Sequence, residues 1–153
     1  MDMRAVVQRV ASARVEVDGV VVGAIERGLL VYLGVGRDDT PHDRAYMLRK
    51  IVGLRIFAGG TGKMTLSVAD VGGSLLLVSQ FTLYGDVKRG QRPSFDEAMP
   101  SLAAKDVCDA FVAEARALLP VETGRFGADM KVSSVNDGPV TIWLESPTSR
   151  RST

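Results

Sequence analysis

With 153 residues, 46% of them hydrophobic and 24% charged, the chain has the size of one ordinary domain and enough apolar content for a core. Its 19 basic and 18 acidic residues leave a formal net charge of only +1, which excludes a generally basic nucleic-acid binder and leaves room only for local RNA contacts. A single cysteine, Cys108, excludes an intramolecular disulfide and fits a reducing compartment, and a single histidine, His42, excludes a multi-histidine metal site.

The opening MDMRAVVQRVASARVEV is too charged for a signal peptide, and no stretch approaches the ~20 apolar residues of a membrane span. A cytoplasmic protein with no cofactor, metal or membrane partner is expected. Ala5, Val6 and Val7 open a first strand. Arg14-Val15-Glu16-Val17 alternates, Asp18-Gly19 is a hairpin turn signal, and Val20-Val21-Val22 returns. Residues 28–35 (GLLVYLGV) are nearly all apolar, as suits a strand buried on both faces. Thr40-Pro41 announces a helix, by a capping hydroxyl and a proline at the first helical position. Ala45, Leu48, Ile51 and Val52 are its expected apolar face, and its end is expected near Phe57. The following AGGTG lacks the order of a phosphate-binding loop and reads as a turn.

Residues 74–80 (SLLLVSQ) form a second buried-strand pattern, and residues 86–93 a polar loop. A second helix is predicted over residues 101–118, with Ala104, Val107, Cys108, Phe111, Ala115 and Leu118 on one face. Two strands, over residues 131–135 and 140–144, flank Asn136-Asp137-Gly138-Pro139, which by itself signals a turn. This order predicts one mixed α/β domain over residues 1–147, and the composition beyond it predicts a flexible tail over residues 148–153.

Few residues offer hydrolytic chemistry. His42 falls in the first turn of a helix and reads as a solvated residue. Cys108 falls on an apolar helix face and reads as a buried, inert thiol. Lys88, Arg89 and Arg92, then Arg125 and Lys131, then Arg150 and Arg151, are local basic groups that charge alone marks only as solvated surface. Two polar clusters remain at strand ends, Ser79-Gln80-Phe81-Thr82-Leu83 and Asn136-Asp137-Gly138-Pro139-Val140-Thr141, and each by itself is weak.

In order along the chain, VVQRV, RIF with GKM, SQFTL, RGQRPSF, TGRFGADM, NDGPVT and VTIWLE together resemble the D-aminoacyl-tRNA deacylase (D-tyrosyl-tRNA(Tyr) deacylase) family. The resemblance covers all but the last few residues. It implies a three-layer α/β fold, with mixed and antiparallel sheets and two main helices packed on one side. It also implies a homodimer that hydrolyses the ester of D-aminoacyl-tRNA, and of mischarged glycyl-tRNA, at the 3′ acceptor end. Ser79, Gln80, Phe81 and Thr82 would line the catalytic site. Gly138-Pro139 would be a Gly-cisPro element that reaches into the partner's pocket and rejects L-amino acids, and Arg9 would hold it. Leu83, Met130 and Asn136 are supporting residues in the same motifs, and Lys88, Arg89 and Arg92 would contact RNA phosphates.

Elementary chemistry fits these implications. Glycine before proline leaves no Cβ in the way of a close approach to the backbone. A rigid main-chain wall excludes an L-residue without reading its side chain. Thr82 has no evident base, which favours assistance by the 2′-OH of the substrate, with N–H groups near Phe81 and Thr82 as oxyanion donors, over attack by Thr82 itself. Phe81 either flanks the terminal adenine or is a core residue. The alternatives are a non-catalytic tRNA-end-binding protein and a hydrolase of small esters.

Overall fold

The computed structural model describes residues 2–147; the expected tail, with Arg150 and Arg151, lies outside the described residues. β1 (Arg4–Val17) turns into β2 (Val20–Ile25) through Asp18 and Gly19, both at positive φ (51° and 78°). That is the geometry of a two-residue hairpin whose twist matches its strands. β3 (Gly28–Gly34) then pairs antiparallel with the first half of β1, from Arg4 opposite Gly34 to Val10 opposite Gly28. β2 and β3 therefore lie end to end along one edge of β1.

α1 (Pro41–Gly53) begins as the Thr40-Pro41 signal predicts. The Asp43 carboxylate accepts hydrogen bonds from the Thr40 N–H at 2.9 Å and the Thr40 hydroxyl at 3.1 Å. Its other oxygen accepts from the Ser146 hydroxyl at 2.9 Å, and Ser146 Oγ in turn accepts from the Met3 N–H at 2.9 Å. The helix start is thus tied to both ends of the described chain. The buried face of α1 is Asp43, Met47 and Ile51, not the expected one through Ala45, which is exposed. The inward cap rotates the helix, leaving Leu48 and Val52 at the margin of the core. Phe57 belongs not to α1 but to β4 (Phe57–Ala58), which forms a small hairpin with β5 (Met64–Leu66) around the glycine-rich turn.

β6 (Ser74–Ser79) runs parallel to β3, and α2 (Ser101–Arg116) leads into β7 (Val121–Thr123), parallel to β6. The helix ends before Leu118, which is 56% exposed, and the turn that follows buries Leu119 instead. α1 and α2 are linked by a two-pronged ion pair from Arg44 to Glu114 at 2.9 and 3.1 Å, which holds the Glu114 carboxyl below its ordinary range.

The chain closes with β8 (Lys131–Glu145), antiparallel along the second edge of β1. Two short strands around a turn were expected, but the structure has one strand with a bulge. Gln8 faces Thr141 and Val10 faces Asn136, so residues 137–140 bow out opposite Arg9. Pairing with a distant strand overrides the local turn signal.

The principal sheet has the order β2-β1-β3-β6-β7, with β8 also on β1. Both helices cover one face: Met47, Ile51, Cys108, Phe111 and Ala115 pack on Ala5, Val7, Leu29, Val31, Leu75 and Leu77. Each large side chain so buried contributes about 1.5–3 kcal/mol of transfer free energy. Against the opposite face, Leu30, Leu76 and Val78 meet Val10, Ala13, Val15 and Ile25 from the curled half of β1 and β2. The result is a single three-layer α/β domain. Among the described residues no helix is long and apolar enough to cross a membrane.

Candidate active site

Where β6 runs out of partners, its apolar sequence gives way to Ser79 and Gln80 and then to a short 3₁₀ turn, Phe81–Tyr84. The buried Tyr84 pins this turn, its hydroxyl donating to the carbonyls of Asp2 and, at 3.1 Å, Gly34. Burial pushes the Tyr84 phenol well above its ordinary range, so it acts as a neutral donor. Arg4 donates to the Leu83 carbonyl at 2.9 Å and lies over the Tyr84 ring.

Beside this turn opens a cavity of about 580 Å³. Ser79, Gln80 and Phe81 form one wall; Phe95, Met99 and Pro100 form a second; Phe126 and Met130 form a third. None of its lining residues carries a charge. Phe81 is 58% exposed, so it is not the core phenylalanine that the sequence left open, and its ring meets that of Phe95 edge-on at 5.0 Å. Gln80 Nε2 donates to the Thr82 hydroxyl. The N–H groups of Phe81 and Thr82 open the 3₁₀ turn and so have no acceptor within it.

Cys108 lines the cavity, but burial and the neighbouring Asp109 push its thiol up to about 12, so it is not a thiolate at neutral pH. His42 is exposed and lines neither this cavity nor its neighbour. Among the described residues no three His, Cys, Asp or Glu side chains come together.

The second polar cluster is elsewhere. Gly138-Pro139 is cis, Gly138 has φ 126°, and the pair sits on the β8 bulge, outside the lining of the cavity. Arg9 braces the bulge: Nε donates to the Asp137 carbonyl at 3.1 Å, and Nη1 to the Ile56 carbonyl at 2.7 Å. Asn136 clamps its base, accepting from the Val140 N–H at 3.2 Å and donating to Thr141 Oγ1 at 3.1 Å. Lys88, Arg89 and Arg92 are exposed on the loop closed by the Asp86–Ser94 bridge, and none lines the cavity. The structure thus brings Ser79, Gln80, Phe81 and Met130 together and keeps Gly138 and Pro139 apart from them in the same chain. Phe95 and Phe126 were not singled out, although both lie inside motifs that were, RGQRPSF and TGRFGADM.

Known proteins resemble the chain over nearly its whole length. A relative from Thermosipho africanus described as D-aminoacyl-tRNA deacylase is 57% identical over 145 residues, covering 94% of this chain and 97% of its own. One from Koribacter versatilis with the same description is 59% identical over 145 residues, with the same coverage of both chains. Among solved structures, one titled "c-Myc DNA Unwinding Element Binding Protein" superposes with a TM-score of 0.90 at 44% identity, covering 95% of this chain and 99% of its own. A probable eukaryotic D-amino acid tRNA deacylase shares the fold, with a TM-score of 0.81 at 20% identity over 95% of this chain and 100% of its own. The family described as D-Tyr-tRNA(Tyr) deacylase matches residues 6–145, and this chain belongs to that family of ester hydrolases.

Proposed function

We propose that the chain hydrolyses the ester of D-aminoacyl-tRNA, and of mischarged glycyl-tRNA, and spares L-aminoacyl-tRNA. The observation that carries this reading is the uncharged cavity lined by Ser79, Gln80 and Phe81, where the 3₁₀ turn opens. Such a cavity suits a nucleoside with an attached ester. It supplies orientation and donors for a developing oxyanion, and no charged side chain of its own to attack the ester. The 2′-OH of the substrate then activates water or attacks directly. Phe81 flanks the terminal adenine, a role supported by its exposure and its contact with Phe95. Lys88, Arg89 and Arg92 contact phosphates of the acceptor stem.

Chirality is read by Gly138 and Pro139 of a second copy. Support comes from their position on the outer strand β8, whose other edge has no strand partner among the described residues. Val135 (57% exposed) and Trp143 (51%) lie on that strand, a contact surface of the kind a second subunit covers. The homodimer puts each bulge at its partner's cavity. Incubation with D-Tyr-tRNA, L-Tyr-tRNA and Gly-tRNA tests the reading. Release of D-Tyr, slower release of Gly and none of L-Tyr are expected. Equal release of D- and L-Tyr would remove the reading, and tight tRNA binding without release of any amino acid would replace it with a tRNA-end-binding role.

A further inference from the structure

Next to the main cavity lies a second one of about 310 Å³. Ser79, Cys108 and Phe126 belong to the walls of both, so the two are neighbouring compartments. They differ in charge. The first has no charged lining residue, whereas the second has Arg116 from the last turn of α2, Arg125 from the loop after β7, and Asp109. Asp109 is already paired with Lys105, one helical turn earlier, at 2.8 Å.

Neither arginine has a carboxylate partner among the described residues. Arg116 donates only to the Val121 carbonyl, at 3.3 Å from both Nε and Nη2. Arg4, Arg9, Arg14, Arg37 and Arg44 face a carboxylate at ion-pair distance, whereas among the described residues Arg27, Arg49, Arg55, Arg89 and Arg92 do not; Arg116 and Arg125 differ from these last five in lining the second cavity. On a chain of net charge +1, two arginines without acidic partners give the second compartment a local positive charge beside an uncharged cavity.

We propose that this second compartment holds the phosphodiester immediately 5′ of the terminal nucleoside, with Arg116 and Arg125 donating to its oxygens. The inference rests on the reading above that the main cavity takes the aminoacylated 3′ end. A nucleoside seated there carries its 5′ phosphate one backbone step away, and the second compartment adjoins the first through Ser79, Cys108 and Phe126. The planar guanidinium fork matches two phosphate oxygens at once. The RNA strand therefore leaves the site along the α2–β7 edge.

The test compares D-Tyr-tRNA with 3′-O-(D-tyrosyl)adenosine, which lacks that phosphate. Arg125→Gln, and the double variant Arg116→Gln/Arg125→Gln, should lower the ratio of kcat/KM for the tRNA to that for the small ester by about tenfold per arginine, through KM. The log–log salt dependence for the tRNA should become shallower by about 0.7 for each phosphate that is no longer neutralised. Arg125→Lys keeps the charge but not the two-pronged geometry, so it should recover the salt slope and only part of the ratio. Unchanged ratio and salt slope in both glutamine variants would overturn the proposal. So would a ratio that moves only when Lys88, Arg89 and Arg92 are replaced by Gln, or equal inhibition of both substrates by inorganic phosphate, which would mark a free-anion site. If the unmodified protein cleaves neither substrate, the reading of the main cavity fails instead, a result separate from an unchanged ratio.

Discussion

Arg9 stands directly behind Gly138, its Nη2 lying 2.8 Å from the point where a Cβ on Gly138 would be. The same guanidinium holds the carbonyls of Asp137 and Ile56, so it has no room to retreat without releasing one of them. Gly138 also has φ 126°, a conformation that L side chains rarely adopt. Gly138→Ala should cost about 1–3 kcal/mol of stability in urea unfolding. Because it shifts the bulge, it should also lower kcat/KM for D-Tyr-tRNA by about 10². A variant with wild-type rate and the same discrimination against L-Tyr-tRNA would separate this segment from the chemistry.

Thr82 offers a second test. Its hydroxyl accepts from Gln80, and no cavity-lining side chain is a base for it. Thr82→Ala should therefore keep deacylase activity, with a loss smaller than the ~10²–10³ typical of a removed oxyanion donor. A tRNA ending in 2′-deoxyadenosine should be a poor substrate. Single-turnover rates for both decide the matter: an inactive Thr82→Ala enzyme together with normal cleavage of the deoxy substrate would make threonine the nucleophile.

Cys108 gives the protein a signature at high pH. The unfolded thiol loses its proton near its ordinary value of 9.0, whereas in the folded protein it holds the proton up to about 12. Between those values the folded state binds the extra proton. Its contribution is therefore fully present below pH 9 and is lost as pH rises toward 12, at up to about 1.4 kcal/mol per pH unit. Urea unfolding of Cys108→Ala across that window should show a flatter decline than the unmodified protein. Identical slopes would mean that the thiol is not held protonated.

The outer strand should govern assembly. Sedimentation at micromolar concentration is expected to give twice the chain mass. Val135→Glu puts a charge where a second subunit would bury it without a partner, at a cost of about 3–5 kcal/mol of association. That variant should sediment as a monomer and lose deacylase activity in the same concentration range. A fully active monomer would contradict cross-subunit reading of chirality.

What was legible in the sequence was mostly what is local in the structure. Asp18-Gly19 marked its hairpin because positive φ at both positions is a property of those two residues. Thr40-Pro41 marked its helix for a similar reason, and the apolar runs of β3 and β6 marked strands buried on both faces. The α1 face was misjudged because Asp43, a polar residue, turns inward to meet Ser146, a partner 103 residues away. Asn136-Asp137-Gly138-Pro139 has the composition of a turn, and only pairing with β1 on both sides makes it a bulge. Of the site, the motif around Ser79 was visible as an abrupt change from apolar to polar at a strand end. Phe95 and Phe126 sit in loops, where no periodicity points inward, and become cavity walls only when three separate segments converge.

β1 is hydrogen-bonded along both of its edges, and one of them is covered only by β8, with Arg4 meeting Glu145 across a separation of 141 residues. During synthesis the earliest strand is therefore made long before the neighbour that completes it. Until then it presents a ladder of unpaired amides and carbonyls beside an already formed β1–β3 pair, the kind of edge on which chains join one another by mistake. Contacts this distant in sequence also slow the search for the native state. Correct maturation thus depends on late arrival of β8, the same segment that carries Gly138 and Pro139, so a chain that has not finished folding also lacks the element proposed to keep its chemistry selective.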